Sequence, residues 1–138
     1  MLTSRDLTPS YARLPGTHLL VVEDDPGLRR VVAQGLARAG YLVEVAPDGR
    51  QALEHAQTGR PDGLILDVML PDAHGLDLAQ QIRSTRGLEA VPVLFVTALP
   101  PATVRDTLFP APVLFKPFTY RQLVASVRAL LRPCSLAA

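Results

Sequence analysis

The chain has 138 residues, 48% of them hydrophobic, which suffices for one ordinary domain with its own buried core. A formal net charge of +1 without any basic run argues against nucleic acid as a partner, and no apolar run reaches the roughly 18 residues that membrane insertion needs. The single cysteine, Cys134, cannot form an internal disulfide, which favours a cytoplasmic location.

The sequence predicts an N-terminal extension over residues 1–17. This segment is polar, is punctuated by prolines and lacks an apolar signal-peptide core, so we expect it to be loosely ordered. The patterned part of the chain spans residues 18–132 and predicts one domain, which residues 133–138 follow as a tail.

Five short apolar runs, several of them rich in β-branched residues, predict strands. They begin at His18 (HLLVVE), Tyr41 (YLVEVA), Gly63 (GLILD), Val91 (VPVLFVT) and Pro112 (PVLF). These runs are too apolar to leave one face in water, and helical patterns separate them. The sequence therefore predicts an α/β fold: a doubly wound, five-stranded parallel sheet with both faces covered.

Apolar residues at helical spacing predict the helices. They are Leu28, Val31, Val32 and Leu36; Ala52, Leu53 and Ala56; Leu78, Ala79 and Ile82; and Leu123, Val127, Leu130 and Leu131. Asp25 followed by Pro26 is typical of a helix start, and Thr119 with Gln122 predicts a capping box. Prolines on both sides leave only about two turns for a short fourth helix, from Ala102 to Leu108.

Polar residues stand where the predicted strands end. Glu23 and Asp24 follow the first strand, Asp67 ends the third, Thr97 ends the fourth, and Lys116, the only lysine of the chain, follows the fifth. Ligands of such sheets bind outside the carboxyl ends of the strands. Two carboxylates about 4 Å apart repel by roughly 4 kcal/mol at an effective dielectric near 20. The acids therefore need a cation or a retained proton.

This combination favours a phosphoryl site with a hard divalent ion, Mg²⁺ or Mn²⁺. Asp67 is the candidate nucleophile, and the compact ammonium of Lys116 can reach a carboxylate or a phosphoryl oxygen. The Thr97 hydroxyl can donate to the phosphoryl group, while the small Ala98 leaves space for it.

Plainer interpretations stay open for each residue taken alone. Asp25 fits a helix cap, and three aspartates next to proline or glycine fit turns: Asp48, Asp62 and Asp72. Glu23, Asp24 and Thr97 could be ordinary strand ends, and Lys116 could be a chance survivor of an arginine-rich composition. The histidines show no paired spacing for zinc and receive no chemical role: His18, His55 and His74.

Five segments resemble, in order and spacing, the receiver domain of bacterial two-component response regulators. The resemblance covers His18 to Leu131 and is carried by LLVVEDDPGLRRVV, DGRQAL, LILDVMLPDAHGLDL, PVLFVTA and LFKPFTYRQL. It implies a CheY-like (βα)5 fold of the flavodoxin type with strand order 2-1-3-4-5.

The resemblance also implies roles for individual residues. Asp67 matches the phosphoacceptor, Glu23 and Asp24 match the acidic pair that holds Mg²⁺, and the backbone carbonyl of Met69 matches the remaining metal ligand. Thr97 and Lys116 match the hydroxyl and amine that contact the phosphoryl group, and Pro117 is a candidate cis-proline. The implied donor is a sensor histidine kinase or a histidine phosphotransfer protein.

The chain departs from the family pattern at the switch positions. Thr97 is present, but Val113 stands where the family usually has tyrosine or phenylalanine, and FPAP replaces the usual acidic, small-residue run before it. Valine cannot make the same ring swing, although Phe115 or Phe118 could substitute. The short fourth helix also changes the output face.

Three functions remain as interpretations. The first is a stand-alone receiver, expected because only seven residues follow Leu131. Such a receiver would act by docking to a downstream effector or by handing the phosphoryl group on, and a homodimer is a possible partner arrangement. The second is a receiver-like interaction module that works without phosphorylation. The third is an aspartate-nucleophile phosphohydrolase, which ranks low because position 69 is Met69 rather than an acid; a flavin protein of this fold is disfavoured because acids follow the first strand.

Overall fold

The computed structural model describes residues 16–107 and 111–132. Its five strands form one parallel sheet in the order β2-β1-β3-β4-β5, which confirms the predicted doubly wound fold. The strands are β1 (His18–Val22), β2 (Leu42–Ala46), β3 (Gly63–Asp67), β4 (Val93–Thr97) and β5 (Val113–Phe115).

The helices cover both faces of this sheet. They are α1 (Pro26–Arg38), α2 (Gly49–Gly59), α3 (Gly75–Arg83), α4 (Pro101–Thr107) and α5 (Tyr120–Leu131). Helices α1 and α5 pack on one face, where Leu36 and Val127 are fully buried; α2, α3 and α4 pack on the other, against Leu20 and Leu66. Each fully buried aliphatic side chain contributes roughly 1.5–3 kcal/mol relative to exposure.

Three strands begin one or two residues later than the sequence pattern indicates. Proline explains two of these starts, because Pro92 and Pro112 have no backbone N–H to donate to a ladder. Their carbonyls still take part: Leu64 N donates to Pro92 O at 2.9 Å, and Phe95 N donates to Pro112 O at 3.1 Å.

The prediction that the strands are covered on both faces holds for the centre of the sheet and fails at its edges. All five residues of β3 and of β4 are buried, whereas Leu42 and Val45 on edge strand β2 are 56% and 38% exposed. The prediction that Val31 lies on the buried side of α1 was also wrong, because its side chain is 62% exposed. The helical periodicity identified the helix correctly, but Val31 lies just outside the face of α1 that packs on the sheet.

The predicted helix caps are confirmed. Asp25 Oδ2 accepts a hydrogen bond of 2.7 Å from Leu28 N, and Thr119 and Gln122 form a reciprocal capping box at α5. Asp48, assigned to a turn by the sequence, caps α2, and His74 caps α3 through Nδ1. These side chains satisfy backbone N–H groups that a helix start leaves open.

Some sequence predictions lie outside the described residues. They concern residues 1–15 of the extension, Leu108 at the end of the fourth helix, and the tail at 133–138 with Cys134. In the part of the chain that the structure describes, no helix combines the length and the hydropathy that crossing a bilayer requires.

Asp72 ties the loop after β3 to the start of α2. Its two carboxylate oxygens accept hydrogen bonds from Gly49 N (2.7 Å) and Arg50 N (3.0 Å). The bond from Gly49, with that from Arg50, holds the pKa of Asp72 below its ordinary value of 3.8. The carboxylate thus stabilises the loop against the helix by charge-assisted bonds at a helix N-terminus.

We expect Asp72→Ala to lower the thermal midpoint by a few degrees at pH 7. Because the folded-state pKa is lowered, this stabilisation is present above the ordinary pKa of 3.8 and is lost as the pH falls through the lower folded value. Thermal melts of the wild type and of Asp72→Ala, recorded from pH 7 down to below the ordinary pKa of 3.8, should give midpoints that converge only at the acidic end. Asp106→Asn, a change at an exposed aspartate of α4, is the matched control; an equal loss in this control would contradict a specific role for Asp72.

Candidate functional site

The polar strand ends meet at one edge of the sheet. Because β1, β3, β4 and β5 run parallel, their carboxyl ends lie side by side. Val22 pairs with Leu66, Asp67 with Val96, and Thr97 with Phe115. The residues that follow or end these strands therefore surround one crevice, as the sequence predicts.

Lys116 bridges the two buried acids of the crevice. Its Nζ lies 2.9 Å from Glu23 Oε1 and 2.9 Å from Asp67 Oδ2. The three side chains are 20%, 6% and 8% exposed, so the contacts are shielded from bulk water. The single lysine thus supplies positive charge to the acidic crevice.

Burial and charge act against each other in this trio. Burial raises the pKa of Glu23, aided by the nearby Asp67 charge, and the hydrogen bond from Lys116 only partly offsets it. Burial alone would lower the pKa of Lys116, but hydrogen bonds to Asp67 and Glu23 outweigh it and raise that pKa. The single positive charge of Lys116 therefore does not balance the negative charge of the acids in the crevice. A further cation is electrostatically favoured there.

The donor set fits a hard divalent ion. Carboxylate oxygens of Glu23, Asp24 and Asp67 all lie within 4.8 Å of one another. Asp24 is exposed at the mouth of the crevice, while the other two line it from inside. Oxygen donors in this number, with an open side for water, suit Mg²⁺.

Neighbouring backbone fixes the orientation of Asp67. Met69 N donates to Asp67 Oδ1 at 3.0 Å, so both carboxylate oxygens of Asp67 accept hydrogen bonds. Gly75, the first residue of α3, packs directly on this backbone and donates from N to Val68 O at 2.6 Å. The Met69 side chain is 58% exposed and leaves no acidic group at this position.

Glu23 is held from the other side by residues that the sequence did not single out for this role. Asp25 N donates to Glu23 Oε2 at 3.1 Å, and Arg29 Nη1 donates to the Glu23 carbonyl at 2.8 Å. Arg29 lies in the first turns of α1, close to the end of β1. No local pattern reveals such a contact, because it depends on the angle between strand and helix.

Thr97, Ala98 and Pro117 complete the predicted group. Thr97 is 1% exposed; its hydroxyl oxygen accepts a bond from Leu99 N at 3.0 Å, and its carbonyl accepts one from Lys116 N at 2.8 Å. Ala98, Lys116 and Pro117 line an apolar cavity of about 470 Å³ between α1 and α5. The Lys116–Pro117 peptide bond is cis.

Thr97 and Val113, which the sequence predicts as switch positions, lie on one face of the sheet. Val113 pairs with Phe95, Phe115 pairs with Thr97, and residues two apart on a strand share a face. Val113 is partly buried against the core under α2, α3 and α4, whereas Phe118 packs on the opposite face. Of Phe115 and Phe118, it is therefore Phe115, 37% exposed and next to Thr97, that shares this face with Val113.

The chain matches known proteins over most of its length. The family model described as response regulator receiver domain matches residues 19–128. The response regulator MprA of Mycolicibacterium vanbaalenii is 41% identical over 117 residues, which cover 83% of this chain and 50% of MprA. The chain thus spans about half the length of the curated relatives that it matches.

Solved structures similar to this chain also include response regulators and receiver domains. The chemotaxis response regulator CheY4 of Vibrio cholerae is 32% identical with a TM-score of 0.77, over 84% of this chain and 99% of CheY4. The receiver domain of sensor histidine kinase PA1611 from Pseudomonas aeruginosa, whose structure has a magnesium ion coordinated in the active site cleft, is 29% identical with a TM-score of 0.76, over 84% and 98%. With its fold, its acidic crevice and these likenesses, the chain belongs to the family of response regulator receiver domains.

Proposed function

We propose that Asp67 accepts a phosphoryl group from a histidine kinase or a histidine phosphotransfer protein. The observation that carries the proposal is the Glu23–Lys116–Asp67 bridge, which places a buried, oriented carboxylate beside an acidic metal-type site. The related PA1611 receiver with magnesium in its cleft supports the same chemistry here.

In the proposed transfer, an Asp67 oxygen attacks phosphorus while the bond from phosphorus to the donor's nitrogen breaks and its electron pair leaves with the donor. Lys116, now 2.9 Å from Asp67 Oδ2, would exchange this contact for a phosphoryl oxygen. The buried Thr97 hydroxyl would donate to a second phosphoryl oxygen, and Ala98 would leave room for it.

Glu23, Asp24, Asp67 and the backbone carbonyl of Met69 would hold Mg²⁺, or Mn²⁺ in its place. When bound, this ion supplies positive charge that reduces the repulsion between the carboxylates and the incoming phosphoryl group. Within the chain itself, Asp25 N and Arg29 keep Glu23 in position for this role.

We infer that the domain acts in the cytoplasm as a signalling module and catalyses only its own phosphorylation and dephosphorylation. The exposed thioether of Met69 supports this inference over a phosphohydrolase, because it cannot act as the second acid or base. Phosphorylation would reach a downstream protein through the face that bears Thr97, Val113 and Phe115. Activity as a receiver without an attached output domain stays a prediction.

The proposal predicts that the wild-type chain gains one phosphoryl group from acetyl phosphate in Mg²⁺ and none in EDTA, as measured by intact mass. Asp67→Asn should gain none in either buffer, because an amide is not a competent nucleophile here. Asp72→Asn is the matched control and should be labelled like the wild type. Labelling of Asp67→Asn, or equal labelling of the wild type in EDTA, would contradict the assignment; no labelling by acetyl phosphate or a kinase would favour the phosphorylation-independent module.

A further inference from the structure

A second group of ligand-type side chains lies away from the phosphoacceptor crevice, on the face of the sheet beneath α2. Glu44 is the only charged residue of β2, and it shares a sheet face with Leu42 and Ala46. Leu42 pairs with His18 and Glu44 pairs with Leu20, so His18 lies on the same face, diagonal to Glu44. His55 reaches Glu44 from α2.

The contacts within this His18–Glu44–His55 cluster are close. His18 Nε2 lies 3.2 Å from Glu44 Oε1, and His55 Nδ1 lies 3.3 Å from Glu44 Oε2. Ligand atoms 2.0–2.1 Å from a tetrahedral zinc ion are about 3.3 Å apart. Each nitrogen–oxygen separation is therefore compatible with two ligands on one ion. The two imidazoles contact different oxygens of Glu44, and the contact of His55 is also a hydrogen bond.

One oxygen of the cluster lacks a hydrogen bond. Glu44 Oε1 is buried and accepts no hydrogen bond within the described residues, so its 3.2 Å contact with His18 Nε2 is not a hydrogen bond. A buried carboxylate oxygen normally accepts a hydrogen bond, and leaving that bond unmade is energetically costly. A cation bound by both this oxygen and His18 would compensate for the missing hydrogen bond.

Residue 59, one helical turn after His55, is a glycine that packs against the cluster. A Cβ at Gly59 would lie 2.7 Å from Glu44 Oε1 and 3.1 Å from His18 Cε1. A side chain at this position would thus collide with the Glu44 carboxylate. Gly59 ends α2, which brings the helix end against the start of β1.

We propose that His18, Glu44 and His55 form a binding site for a transition-metal ion of the zinc class. Two imidazoles and one carboxylate are a known zinc donor set, and their net charge of −1 favours a divalent cation. The three side chains do not bring one ligand atom each within 4.8 Å of one another. Binding therefore requires His55, whose side chain is 36% exposed, to rotate toward Glu44 Oε1.

Bound metal would join the start of β1, the edge strand β2 and the end of α2. This site is separate from the acidic crevice, because His18 begins β1 whereas Glu23 and Asp24 follow its end, and because Glu44 and His55 lie on β2 and α2. It would make the stability of the domain depend on zinc without involving Asp67.

Zn²⁺ titration by calorimetry tests the proposal. The full chain should carry Cys134→Ser to remove a competing thiol, and saturating Mg²⁺ should occupy the acidic crevice. We expect one Zn²⁺ per chain, with affinity at least ~10-fold weaker in His55→Ala and in Glu44→Gln. His74→Asn is the matched control: it removes a histidine but retains a residue type that caps helices, and should bind zinc like the parent.

Nitrogen-15 spectra of the imidazoles give a second readout. Zn²⁺ should shift the ring signals of His18 and His55 and leave those of His74 unchanged. The proposal is overturned if the parent chain binds no Zn²⁺, if His55→Ala and Glu44→Gln bind it as tightly as the parent, or if only His74→Asn loses binding. Metal-free thermal melts establish that each variant is folded before titration.

Discussion

Lys116→Met is expected to lower the free energy of unfolding by about 3 kcal/mol in metal-free buffer at pH 7. Methionine retains a long apolar stem but removes the ammonium that lies 2.9 Å from both Glu23 and Asp67. Two buried carboxylates then face each other without a counter-charge. The value is at the lower end of the range for broken buried pairs because Lys116 is 20% exposed and water can partly enter.

Urea unfolding in EDTA measures this loss, and a double-mutant cycle locates its cause. Lys116→Met combined with Asp67→Asn should be more stable than Lys116→Met alone, because one of the two unpaired charges is gone. Added Mg²⁺ should stabilise Lys116→Met more than the wild type, since the crevice has become more negative. Arg121→Met, which removes an exposed cation from α5, is the control and should change stability by less than about 0.5 kcal/mol. If the cycle is additive, the bridge carries no coupling energy and the interpretation is wrong.

Gly75→Ala is expected to cost about 3 kcal/mol and to slow phosphoryl acceptance. A Cβ at this position would lie 2.5 Å from the Asp67 carbonyl oxygen and 2.9 Å from Val68 Cα, distances at which backbone has to move. Gly75 needs no unusual φ angle, so the cost arises from steric contact alone. Relief of the clash would displace the strand end that holds the Asp67 carboxylate.

Gly27→Ala is the matched control, because a Cβ there would meet its nearest neighbour, Asp25 Oδ2, at an ordinary 3.5 Å. It replaces glycine in the first turn of α1 and should leave stability unchanged or raise it by up to about 1 kcal/mol. Urea unfolding and the rate of labelling by acetyl phosphate measure both effects. A Gly75→Ala protein that unfolds and labels like the wild type would show that the loop after β3 tolerates the shift.

The sequence was sufficient to predict the order and type of the elements, because strand and helix periodicities are local properties. It also placed Glu23, Asp67, Thr97 and Lys116 at the same edge, since parallel strands align their carboxyl ends. The contacts of Lys116 with both acids could not be predicted in this way. They depend on the rotamer of a long side chain in a crevice that four strands build together.

Other features were missed because they arise from pairing between distant segments. Glu44 reads as an ordinary polar residue of an edge strand until the register with β1 puts His18 beside it and α2 adds His55. Asp72 reads as a turn residue, yet its carboxylate binds the start of α2. Val31 satisfies helical spacing but lies beyond the reach of the sheet. Register and helix position decide all of these, and neither is a property of a short window.

The parallel sheet described above also dictates how this chain can fold. Its ladders join residues that are distant in the sequence, such as Leu19 with Gly63 and Leu64 with Val93. All four ladders between the described strands are parallel, so no two neighbours can close through a tight hairpin. Closing such long loops lowers the chain entropy before the stabilising contacts of the ladder can form. Folding is therefore expected to be slower than that of a helical bundle of equal length. Formation of the β1–β3 ladder, which closes the longest of these loops, is expected to limit the folding rate.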